Sequence, residues 1–166
     1  MLEGIRIAVL TISDRSSRGE RPDESGPLLR GVVLEKRGEV VLFGVLPDDR
    51  TVIRRELERI ADGGVADVVL TTGGTGFAPR DVTPEATKDV MDREAPGLAE
   101  AMRAESQKKT ATAMLSRAAA GIRKATLIVN LPGSPRAARE NLEVVLPALA
   151  HAVELLKGRV ADCGKL

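Results

Sequence analysis

Four stretches of the chain are almost unbroken runs of apolar, largely β-branched residues: Ile5 to Ile12, Val40 to Leu46, Ala66 to Thr72 and Thr126 to Leu131. Short runs of this kind, without polar alternation, are the pattern of strands buried on both faces of a sheet. Each is followed by a segment with helical periodicity. Ser25, Asp49, Thr83 and Ser134 stand where helix N-caps belong, and Pro27, Pro84 and Pro135 fall in the first turn, where a missing N–H costs nothing. Gly38 and Gly63 are expected to close two helices at their C-terminal ends.

Strand and helix alternating at this spacing predict an α/β domain, with a doubly wound, mostly parallel sheet, right-handed crossovers and helices on both faces. The stretch from about Pro84 to Gly121 reads as further helix without a strand, broken in two at Glu94-Ala95-Pro96-Gly97. Pro147 predicts a kink or a break in the last helical stretch, Pro135 to Leu156. Alanine-rich Ala111 to Ala120 reads either as a close-packed interface or as an internal helix. No repeat, linker or low-complexity tract interrupts the pattern, and 166 residues fit a single domain, 1–166.

Composition narrows the classes of partner. Lys and Arg number 25 against 24 Asp and Glu, so the molecule carries no long-range positive field for nucleic acid. The absence of Trp and Tyr leaves only Phe43 and Phe77 for stacking on bases. A lone Cys163 reads as an incidental thiol, with no disulfide or multi-cysteine zinc site to join. The opening residues lack the features of a secretory signal, and no run approaches the ~20 apolar residues of a membrane span. The expected location is the cytoplasm.

In an open parallel sheet, ligands collect beyond the carboxyl ends of the strands. The strand-to-helix junctions there are Ser13-Asp14-Arg15-Ser16, Pro47-Asp48-Asp49, Thr71-Thr72-Gly73-Gly74-Thr75-Gly76 running on to Arg80-Asp81, and Asn130-Leu131-Pro132-Gly133-Ser134. Junctions at the opposite edge, such as Gly63-Gly64-Val65, are bland. Hydroxyls, glycines and carboxylates therefore gather on one edge.

The glycine-rich loop is the strongest element, because its backbone N–H groups can turn toward an anion while Thr72 and Thr75 offer hydroxyls. It lacks the Lys-Ser/Thr of a Walker loop and the three-glycine spacing of a dinucleotide fingerprint. A plain tight turn is the other reading, weakened by its long continuation through Pro79, Arg80 and Asp81. Asp48 and Asp81 follow different strands yet share the edge, and two carboxylates so placed can hold one Mg²⁺ against a substrate phosphate. The alternatives are a solvated turn residue at 48 and a helix-entry charge at 81. Asp49 is better placed to cap Arg50 to Ala61. Gly133 and Ser134 open the last helix, which is an anion site or an ordinary cap. Ser13 and Asp14 are pocket residues or turn-formers, Arg15 and Arg80 are assisting cations or solvated charges, and Arg117 reads as a solvated surface charge. Lys108, Lys109, Arg123 and Lys124 read as exposed charges and His151 as structural. No Ser-His-Asp triad, Cys-His pair or zinc cluster is present in the sequence pattern.

Three segments together resemble one family: Ile12-Ser13-Asp14-Arg15, the run from Thr71 to Gly76 continuing through Arg80-Asp81-Val82-Thr83-Pro84-Glu85-Ala86-Thr87, and Asn130-Leu131-Pro132-Gly133-Ser134-Pro135. With Asp92-Arg93-Glu94-Ala95-Pro96-Gly97 and Leu115-Ser116-Arg117, these motifs are similar to the molybdopterin adenylyltransferases of the MogA/MoaB type. The resemblance implies transfer of AMP from ATP to the terminal phosphate of molybdopterin, with Mg²⁺ and release of pyrophosphate, in molybdenum cofactor biosynthesis. It implies that Asp48 and Asp81 are the functional, metal-holding aspartates. It also implies that Thr72, Gly73, Gly74, Thr75 and Gly76 cradle phosphate and pterin, and that Pro132, Gly133 and Ser134 form a second ligand loop. Ser13, Asp14 and Ser116 match further pocket positions, and on the chemistry so implied Arg80 or Arg15 is the assisting cation. A homotrimer, or occasionally a hexamer, follows from the same resemblance, as does contact with other enzymes of cofactor biosynthesis. The rival readings are a non-catalytic pterin carrier with the same loops and an unrelated nucleotide-binding α/β protein.

Overall fold

A computed structural model of the chain describes residues 1–159. Cys163 lies outside the described residues. The strands are β1 (Arg6–Ile12), β2 (Glu39–Leu46), β3 (Val68–Thr72), β4 (Arg93–Glu94), β5 (Ala120–Arg123) and β6 (Thr126–Leu131). The helices are α1 (Asp14–Ser17), α2 (Ser25–Glu35), α3 (Arg50–Asp62), α4 (Thr83–Val90), α5 (Pro96–Gln107) and α6 (Pro135–Leu156), with a 3₁₀ turn at Ala111–Leu115. Among them no helix is long and apolar enough to cross a membrane.

The strands form one sheet in the order β2-β1-β3-β6-β5-β4. β2, β1, β3 and β6 are parallel, whereas β5 runs antiparallel to β6 and β4 to β5. Period-two alternation splits the strands between two apolar layers. Ile7 and Val9 of β1 face α2, α5 and α6 through Leu29, Met102, Leu142 and Leu149. Ala8, Leu10 and Ile12 face α3 and α4 through Ile53, Leu57, Ile60, Ala86 and Val90. Covered on both sides, β1 and β3 are apolar without interruption, as their sequence requires.

Several local expectations are corrected. The stretch from Pro84 to Gly121 does contain strand, namely β4 and the start of β5. Ala111 to Ala120 is a 3₁₀ turn running into β5, and not an internal helix. Ala118, Ala119 and Ala120 are buried where the chain enters β5, and a Cβ at Gly121 would come within 2.5 Å of the Met91 sulfur. Pro147 does not break the final helix, which runs continuously over 22 residues. After α2 it is Arg37, at φ 62°, that takes the left-handed turn, with Gly38 following. Asp49 and Ser134 cap α3 and α6 by accepting from the N–H groups of Val52 and Ala137. Ser25 and Thr83 are instead the first residues of their helices, and both hydroxyls are used in tertiary contacts.

Candidate active site

The chain leaves β1 for β2 at one edge and later returns to place β3 on the other side of β1. Such a reversal opens a crevice beyond the carboxyl ends of the two diverging strands. A cavity of about 380 Å³ lies there, walled by Ser13, Asp23 and Ser25, by Asp48 and Asp81, and by the loops Thr72–Gly74 and Gly133–Pro135. A second cavity of about 370 Å³ lies across the glycine loop, lined by Thr75, Gly76, Arg103, Ser106, Lys109, Ser116 and Pro132. Ser134, at the start of α6, borders both.

The glycine loop is held in a shape that only glycine tolerates. Gly73 has φ 104°, and a Cβ there would sit 2.3 Å from the Ile12 carbonyl oxygen; at Gly74, with φ 66°, it would meet Thr83 Oγ1 at 2.3 Å. Three hydroxyls around the loop hold its backbone and that of the neighbouring Pro132–Gly133 loop. Thr83 Oγ1 donates to the Gly73 carbonyl at 2.9 Å, and Thr72 Oγ1 donates to the Pro132 carbonyl at 2.6 Å. Ser25 Oγ donates to the Gly133 carbonyl at 2.7 Å. The expectation that the Thr72 hydroxyl serves as a ligand donor is therefore corrected: its proton is committed to joining the two loops. Asn130, in the same motif, is fully buried and turned away from both cavities, bonded to Thr71, Thr87 and the Ala119 N–H.

Asp14 and Asp48 form a reciprocal pair. The Asp14 N–H donates to Asp48 Oδ2 at 2.8 Å, and the Asp48 N–H donates to Asp14 Oδ1 at 3.0 Å. Arg80 grips both oxygens of Asp14 at 2.9 Å, and this hydrogen-bonded partner holds the Asp14 carboxyl below its usual range. Asp48 goes the other way: burial raises its pKa, and the charges of Asp14 and Asp81 add to the rise. Asp81 Oδ2 accepts from the Ala78 N–H at 2.9 Å. Among the described residues, Oδ1 of Asp48 and Oδ1 of Asp81 are left without a hydrogen bond on the wall of one cavity. Two carboxylate oxygens free in a polar, negatively biased pocket fit a divalent cation whose remaining ligands are phosphate oxygens and water. No cluster of three or more His, Cys, Asp or Glu that would hold a metal unaided exists among the described residues.

Of the residues singled out in the sequence, Ser13, Asp48, Thr72, Gly73, Gly74, Asp81, Gly133 and Ser134 line the first cavity. Thr75, Gly76, Ser116, Pro132 and again Ser134 line the second. Asp14 and Arg80 line neither, being spent on each other beside the first. Lys109 is more than an exposed charge, since it lines the second cavity while pairing with Glu140 at 3.2 Å. Arg103, Ser106 and Asn141 also border that cavity but carried no sequence signal, because they come from the bodies of α5 and α6 and not from strand ends. Asp23 was missed too; it accepts from Thr11 Oγ1 at 2.8 Å and from the Gly26 N–H at 2.9 Å, fixing the wall ahead of α2. His151 is half-buried in α6, away from both cavities.

Residues 8–151 match the family described as a probable molybdopterin binding domain. A Helicobacter pylori protein named molybdopterin adenylyltransferase is 45% identical over 159 residues, spanning 95% of this chain and 90% of its own. The Drosophila melanogaster molybdenum cofactor synthesis protein cinnamon is 44% identical over 93% of this chain, which corresponds to 26% of its own length. Among solved structures, the molybdopterin biosynthesis enzyme MoaB of Thermus thermophilus superposes with a TM-score of 0.87 at 50% identity, covering 93% of this chain and 97% of that one. With the family match spanning residues 8–151 and a relative at 45% identity over most of the chain, this chain belongs to the molybdopterin-binding domain family.

Proposed function

We propose that the protein is a molybdopterin adenylyltransferase: an oxygen of the terminal phosphate of molybdopterin attacks the α-phosphorus of ATP, and the bond to pyrophosphate breaks. The observation that carries this reading is the pair of similar cavities on either side of one glycine loop, meeting at Ser134. Each is of a size to take one ligand, and two ligands entering from opposite sides would bring their phosphates together at the loop. The first cavity, with Asp48 and Asp81, suits the nucleotide; the second, with Lys109, Arg103 and several hydroxyls, suits molybdopterin and its phosphate.

The chemistry needs no general base, because a phosphate monoester is already largely ionised at neutral pH. Asp48 and Asp81 would hold Mg²⁺, which supplies charge neutralisation on the polyphosphate as pyrophosphate departs. The loop N–H groups and the N-terminus of α6 keep the reacting phosphates aligned. The reading takes the protein as cytoplasmic and homotrimeric, or hexameric, in keeping with the resemblance noted in the sequence.

Pyrophosphate release from ATP and Mg²⁺, with and without molybdopterin, tests the proposal. Release that depends on molybdopterin and falls by about 10²- to 10³-fold in Asp81→Asn is the expected result, the size of losing one preorganised electrostatic group. Wild-type protein that binds molybdopterin without releasing pyrophosphate would be a carrier.

A further inference from the structure

Arg117 lies between the 3₁₀ turn and β5, outside the strand ends and outside both cavities. Its backbone N–H donates to the Thr75 carbonyl at 2.9 Å. Its guanidinium donates to the Gly76 carbonyl at 2.7 Å, to the Asp81 carbonyl at 2.6 Å and to the Glu85 carboxylate. One residue thus grasps the beginning of the loop, its end, and the first turn of the helix that follows. Within the loop itself, the only internal support between residues 76 and 81 among the described hydrogen bonds is the Ala78–Asp81 pair. Phe77, at its tip, is 68% exposed and contributes no anchoring burial.

We infer that Arg117 is a positioning residue that sets where the Asp81 carboxylate stands relative to Asp48. The guanidinium does this through the planar fork: donors held in fixed directions reach three acceptors at once, which a lysine ammonium on a flexible stem cannot reproduce. The salt bridge to Glu85, at the start of α4, adds a fourth anchor and fixes the direction of the fork. A catalytic group supported in this way fails when its support is loosened, since a displacement of about 1 Å costs roughly 10²-fold in rate.

The inference rests on the adenylyltransferase reading for its kinetic arm and stands free of it in its structural arm. The structural arm is chymotryptic cleavage after Phe77, compared in wild type, Arg117→Lys and Arg117→Ala at a temperature where all are folded. Faster cleavage at that bond in both variants, with other sites unchanged, is expected; cleavage at the wild-type rate in a folded variant overturns the clamp. The kinetic arm is kcat for molybdopterin-dependent pyrophosphate release in Arg117→Lys, Asp81→Asn and the double variant. Arg117→Lys should lower kcat by roughly 10- to 100-fold. In the Asp81→Asn background the same substitution should lower it by less than about threefold, because the two residues act as one unit. Equal losses in both backgrounds would show that Arg117 does not act through Asp81. Wild type without pyrophosphate release sinks the function reading while the cleavage rates still decide the clamp. If the alanine variant does not fold, the lysine variant carries both arms.

Discussion

Asp48 occupies a position that opposes its own ionisation, half-removed from water and flanked by Asp14 and Asp81. Its folded pKa is therefore raised above that of the unfolded chain, and the sign follows: the fold is favoured while the group is protonated and loses stability as pH rises from about 4 through the raised pKa. Asparagine at 48 keeps an oxygen to accept the Asp14 N–H and removes the charge. Without Mg²⁺, Asp48→Asn should melt above wild type at pH 7 and level with it at pH 3, while pyrophosphate release is lost. Thermal melts across that range check it, and an unchanged gap at both pH values would remove the electrostatic explanation. The residue types at 13, 48, 72–76, 81 and 132–134 were legible because they follow strand ends on one edge of the sheet; their division between two cavities was not. The use of each hydroxyl was not legible: Thr72 and Ser25 spend theirs on carbonyls about 60 and 108 residues away in the chain.

At the scale of elements, the parallel strands and their helices follow from apolar runs and caps that sequence alone displays. The antiparallel β5–β6 pair does not, because alanine and glycine carry weak strand preference and are placed there by what packs against them. This edge is tied back to the sheet's other face by Arg123, whose guanidinium bonds Asp62 at the end of α3 and the Val90 carbonyl at the end of α4. The hydrogen bonds from Arg123 and Lys124 lower the Asp62 pKa to about 2. Since that lies below the unfolded value near 3.9, the linkage stabilises the fold above about pH 4 and is lost as pH falls toward 2. Asp62→Asn should accordingly lower the melting temperature at pH 6 and converge on wild type near pH 2. A difference that persists undiminished at pH 2 would place the contribution in packing instead.

For the whole molecule, two cavities of comparable size lie on either side of a single glycine loop, and each should answer to its own ligand. Lys109→Ala, at the second cavity, is expected to raise KM for molybdopterin by about 10-fold, the scale of one hydrogen bond to a charged group, with KM for ATP within about twofold. A larger effect on ATP would reverse the assignment of the cavities. The periodicity and punctuation of the chain were enough to set the α/β class, the parallel core and the edge on which a ligand site must lie, because these depend on residues close in sequence and on the handedness of local backbone geometry. The second cavity, the Asp14–Arg80 and Asp14–Asp48 pairings and the hold of Arg117 on the loop came from contacts between residues about 30 to 70 positions apart. No local pattern encodes which of several exposed arginines will find a carbonyl across the fold; that is settled when the sheet closes and each buried polar group must find a partner.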